Sequence, residues 1–98
     1  AGAFPKSFAE EFNIVEAARE GVYKQAALLI ADFYDRYEMG DMDELFLRDC
    51  IVIALLADEP DLADVIYKNA IQKNESFFAV EKRLIEREIQ QLRRKLAK

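Results

Sequence analysis

The chain is 98 residues long, 52% hydrophobic and 34% charged, with 14 basic and 19 acidic side chains and no histidine. That length supports one domain, 1–98, able to bury roughly two thirds of its unfolded surface without metals or disulfides, and its apolar content excludes a disordered segment. Three glycines and two prolines are too few for the turns of a many-stranded sheet, and no apolar run approaches the ~18 residues of a membrane span.

Residues 1–6, AGAFPK, are expected to be flexible, and they are too short and polar to serve as a signal peptide. Ser7 and Glu10 have the spacing of a capping box, which predicts a first helix over 8–20, ended by Gly21. Over 22–39, Tyr23, Ala26, Ala27, Ile30, Phe33, Tyr34 and Tyr37 recur at three-four spacing, with Lys24, Asp32, Asp35, Arg36 and Glu38 between them. That is one buried stripe on an otherwise wet helix. Met39-Gly40-Asp41 supplies a terminating glycine and an acidic cap, and Asp43 and Glu44 suit the positive end of a third helix over 42–57.

From Cys50 to Ala57 this third helix is apolar on every side, which predicts a central helix covered by several neighbours. In LADEPDLADVIYKNAI, Asp58 or Glu59 is the expected cap and Pro60 the first residue of a fourth helix running to 73, with Leu62, Val65, Ile66 and Ala70 as its apolar face. A fifth and longest helix is predicted over 75–97 from an approximate heptad seam, Phe78, Ile85 and Leu92 with Ile89 and Leu96. Strand alternation and hairpin dipeptides are absent from the sequence. The expected fold class is all-α: two stacked antiparallel helical hairpins and a long C-terminal helix.

A shift of 37 residues carries Gly21 onto Asp58, Ala26 onto Ala63, Ile30 onto Tyr67 and Phe33 onto Ala70. A small residue early in the second helix of each pair lets two helices approach closely. Gly21-x-Tyr23-x-x-Ala26 resembles the turn and early second helix of a tetratricopeptide repeat, and Ala63, Tyr67 and Ala70 resemble the second helix of the next. The resemblance covers two repeats and a following helix, although the large-then-small pattern of the first helices is mostly missing around Asn13, Ile14, Cys50 and Ile51. The stretch LLADEPDLADVIYKNAIQKNESFF before a terminal helix is similar to the hairpin array of soluble N-ethylmaleimide-sensitive-factor attachment proteins. Those adaptors are several times longer and engage their targets through basic surfaces, whereas residues 32–64 here are acidic, so their specific activity is not implied. What the resemblance implies is a right-handed hairpin array, or a compact bundle, that recognises another protein.

Catalytic chemistry finds little purchase. The chain has no His and no Thr, only Ser7 and Ser76, and one cysteine, Cys50, in the apolar setting CIVIALLA. A reactive thiolate needs an electropositive, partly exposed site, so Cys50 reads as a core residue, and with no internal disulfide possible a reducing compartment is expected, by default the cytoplasm. The acidic run Asp35, Glu38, Asp41, Asp43, Glu44 lacks the spacing and glycine of a calcium loop. Glycine-rich phosphate loops are absent as well, and no carboxylate pair is positioned for acid–base work. No catalytic residue, metal or cofactor is expected.

Charge is more informative. Residues 32–64 hold eleven acids and two bases, and residues 65–98 nine bases and four acids. Such a field can steer a partner or pair two copies head to tail; equally, both faces can serve solubility alone. Asp41, Asp43, Glu44, Asp58 and Asp61 are the acidic candidates for partner binding. Ile89, Leu92, Arg93, Arg94 and Leu96, on the last turns of helix 5, form the second candidate group, either capping the array or joining two copies in a homodimer. Nucleic acid is disfavoured by the net charge of −5 and by a basic tip without a stacking aromatic. The leading expectation is a non-enzymatic adaptor that binds a peptide or helix of a partner protein. Its alternative is an acidic helical inhibitor or immunity-type protein that occludes a basic site.

Overall fold

A computed structural model of the chain describes residues 8–36 and 42–97. Five helices follow in order, α1 (Phe8–Arg19), α2 (Tyr23–Arg36), α3 (Glu44–Leu56), α4 (Pro60–Lys73) and α5 (Lys82–Leu96), with no strand among the described residues. The fold is all-α. Expectations for residues 1–6, the Ser7 cap, Tyr37 and the Met39-Gly40-Asp41 turn lie outside the described residues.

Each helix packs on the next. The α1–α2 and α3–α4 pairs are the most extensive, α2 lies against α3, and α5 crosses the end on α4 and part of α3. Arg36 of α2 bridges back to Glu10 of α1 and to Asp32 of its own helix. One core joins Ile14, Ile30, Phe33, Leu47, Ile51, Ile66, Phe78 and Ile89, inside a body measuring 49 × 30 × 21 Å.

Two helix ends fold alike. Gly21 has φ 80°, its N–H donates to the Ala18 carbonyl (3.0 Å) and the next N–H, of Val22, to Ala17 (3.1 Å). Asp58 has φ 61°, with Asp58 N–H to Leu55 (3.1 Å) and Glu59 N–H to Ala54 (2.8 Å). Both are left-handed closures that satisfy the last carbonyls of a helix. Asp58 therefore ends α3, and Glu59 precedes α4 as its cap residue without a side-chain cap bond. The buried positions share the 37-residue register: Ile14 and Ile51, Ala17 and Ala54, Ala26 and Ala63, Ile30 and Tyr67, Phe33 and Ala70. With a 38-residue shift, Leu47 and Ile51 of α3 fall on Ile85 and Ile89, the two buried residues of α5.

The two closures can be compared by substitution. Asp58→Gly should raise stability by about 0.5 kcal/mol, because glycine enters the left-handed region without a Cβ clash. Gly21→Ala should lower it by about 1 kcal/mol, although a Cβ there would meet no atom within 4 Å. Urea denaturation of the two variants checks both signs.

Two expectations are corrected. Helix 5 starts at Lys82, not 75, because residues 74–81 form turns. The Asn74 Oδ1 accepts from the Ser76 N–H (3.1 Å) and hydroxyl (2.6 Å), a local bond that competes with helix formation, and Phe78 adopts φ 59°. Phe78 thus enters the core from a turn instead of extending the α5 seam. Helix α3 is not covered on every side either: Leu45, Val52 and Leu56 are 61%, 46% and 54% exposed.

Candidate partner-binding surface

The spacing of Leu45, Asp49, Val52 and Leu56, four, three and four residues, puts them on one side of α3. Its other side, Leu47, Cys50, Ile51 and Ala54, is sealed by the core. On α1, Phe12 is also more than half exposed. A groove of about 190 Å³ runs between Val15 and Ala18 of α1, Tyr23, and the Asp49–Val52–Leu56 side of α3. A second, of about 220 Å³, lies between Leu55 of α3 and Glu88, Gln91, Leu92 and Lys95 of α5. The odd-numbered helices thus form one layer with grooves between neighbours. On the even-numbered layer, Ala27, Leu28 and Ala31 of α2 face Leu62 of α4 across about 240 Å³, and Lys24 is tied by its ammonium to the Ala57 carbonyl at 2.8 Å.

The acidic candidates do not converge. Asp41 lies outside the described residues. Asp43 is exposed before α3, and Glu44 accepts from Arg48 (3.3 Å), which also bridges to Glu81 (3.0 Å). Asp58 is exposed at the far end of α3, beyond its 13 residues, and that length amounts to about 20 Å. Asp61, just beyond it, is taken by α5: Arg93 donates to Asp61 (2.9 Å) and to Asp64 (3.2 Å). These hydrogen bonds, with Asp61 first, raise the guanidinium pKa further above its ordinary value. Arg93 therefore ties α5 to α4.

Ile89 is corrected as a partner residue. At 1% exposure it belongs to the core, because α5 turns that side onto α4 and α3 rather than onto α1. Leu92 is half-buried in the α3–α5 groove, Arg94 is exposed, and Leu96 is 47% exposed at the end of the helix. Phe12, Leu45, Val52 and Leu56 were not among the residues the sequence singled out. The usable signal was Asp49, since one carboxylate within an apolar helix marks its wet side, and Val52 and Leu56 follow it there.

Titratable groups in the interior are held neutral. The Tyr67 hydroxyl donates to Glu86 (2.7 Å), and burial, then this bond, push its pKa up. Cys50 is fully buried, and its thiol is raised from the ordinary 9.0 by burial, with Asp49 and Glu11 adding to it. Folding thus opposes thiolate formation: the stability this group contributes is intact below pH 9 and is lost as pH rises above it. A thiol–disulfide reagent at pH 8 should leave Cys50 unmodified in the folded protein and react fully in denaturant; rapid native reaction would place the thiol at the surface.

Among the described residues no three carboxylates or thiols gather as a metal site, and no helix is long and apolar enough to cross a membrane. Compared with protein-family models, curated proteins and solved structures, the chain finds no match in any of the three.

Proposed function

We propose that the chain is a non-enzymatic interaction module whose odd-numbered helices receive a helix or extended peptide of another protein. The observation that carries this is the exposed stripe Leu45, Val52 and Leu56 on α3, whose Val52 and Leu56 line a groove with Val15 and Ala18 of α1. An apolar stripe of this kind is what a partner's own helical anchors would cover. On this reading, α1–α2 and α3–α4 are copies of one tetratricopeptide-like unit, supported by the paired turns at Gly21 and Asp58 and the buried Ala26 and Ala63. Helix α5 is then a cap, with Glu86, Arg87, Gln90 and Arg94 facing solvent. A single sealed thiol fits a reducing compartment such as the cytoplasm.

The acidic-inhibitor reading is less well supported. Its carboxylates divide between the two ends of α3, and Glu44, Asp61 and Asp64 are already engaged. A homodimer through helix 5 would rest on Leu84, Leu96 and the half-buried Leu92, since Ile85 and Ile89 are buried.

Selection of a displayed peptide library on the wild-type chain tests the proposal. Enriched peptides should carry apolar residues at helical spacing, and Val52→Glu or Leu56→Glu should weaken them about tenfold or more while helical content stays unchanged. Failure to enrich any peptide, or binding indifferent to both substitutions, would overturn it.

A further inference from the structure

We infer that the segment seated in the α1–α3 groove is a basic amphipathic helix, its apolar residues filling the groove and a lysine or arginine meeting Asp49. This rests on the docking reading above and adds the chemistry of the partner.

Asp49 is the one charged side chain lining that groove among the described residues; the rest of the lining is apolar apart from the Tyr23 hydroxyl. Its carboxylate is exposed, and among the described residues no cation bridges to it. Its neighbour Arg48 is turned to Glu44 and Glu81 instead. Acids on the flanking elements add to the Asp49 charge, while Arg19 and Arg48 are each paired to a carboxylate. Glu11 of α1 and Asp49 both bear on the buried Cys50 thiol, Glu16 is spent on Arg19 (3.1 Å), and Asp43 stands exposed before the first turn of α3.

Asp49 also sits between Leu45 and Val52, so a lysine or arginine arriving there lays its methylene stem on apolar surface while its head reaches the carboxylate. A neutral or acidic helix would cover the same leucines but strand Asp49 without water or a partner, a penalty that discriminates between ligands. The stripe from Leu45 to Leu56 is about 16 Å long at the helical rise, enough for roughly three turns of a partner helix.

The test uses three synthetic 15-residue helical peptides with one leucine pattern, flanked throughout by Lys, Gln or Glu. Each is titrated calorimetrically into the full chain and into Asp49→Asn, Asp49→Lys and Val52→Glu, all checked for unchanged helicity. Wild type should bind the Lys peptide about fivefold tighter than the Gln peptide, with the Glu peptide weakest. Asp49→Asn should level Lys and Gln, and Asp49→Lys should place the Glu peptide first. High salt should shrink these differences. If all three peptides bind wild type alike and Val52→Glu abolishes binding, the groove docks helices but the basic partner is wrong. If none binds, the docking reading falls and this inference with it.

Discussion

Phe78→Ala should cost about 3–5 kcal/mol and should release α5 before it loosens either hairpin. Phe78 is fully buried although it lies in the turns between α4 and α5. Its ring packs edge-on to Phe77, with centroids 6.0 Å apart, and at a tilt to Tyr67 at 6.1 Å. Beyond this plug, α5 is held by Ile85 and Ile89 in the core, by the Tyr67–Glu86 hydrogen bond and by Arg93 on Asp61 and Asp64. Removing the ring leaves a cavity under the segment that positions all of these. Urea unfolding gives the total loss, and hydrogen exchange locates it. A loss below about 1 kcal/mol, or amides of α1 and α5 exchanging together, would mean Phe78 does not anchor the helix. Phe78→Leu retains most of the apolar volume and should lose less.

Ala63→Leu should cost about 1–3 kcal/mol through overpacking, and Ala26→Leu should cost a similar amount. Both alanines have no exposed surface, and they stand at the same place in α4 and α2. The added atoms have nowhere to go without pushing α4 in one case, and α2 in the other, off the shared core. Val65→Leu is the control and should be nearly neutral, because Val65, expected on the apolar face of α4, is instead 42% exposed. An unchanged melting temperature for Ala63→Leu would mean that α4 is not seated against its neighbours this closely.

The contrast between α4 and α5 shows what the sequence could convey. Helix α4 runs from Pro60 to Lys73 as expected, because proline at the first position and a three-four apolar pattern point the same way. In α5, the heptad spacing from Phe78 to Ile85 looked like helix, while Asn74 and Ser76 spelled a turn, and the turn prevailed. Apolar patterning also left α3 undecided, since residues apolar all round do not say which side a neighbour will cover; the number of helices around them does. The acidic residues looked like one face because they are close in sequence, but a helix separates its two ends. The cation that engages Asp61 and Asp64 stands about thirty positions downstream, beyond any local pattern.

Packing of each helix mainly on its sequence neighbour has a consequence for biosynthesis. Loop closures are short, so little chain entropy is lost at each step, and such topologies fold quickly. The α1–α2 hairpin can pair before α3 has left the ribosome, and its packing on α3 follows, including the ring of Phe46 on Phe33, 5.5 Å away and edge-on. Ile85 and Ile89 come last, onto a surface that α3 and α4 have already built. Folding can therefore proceed vectorially, at the pace of translation.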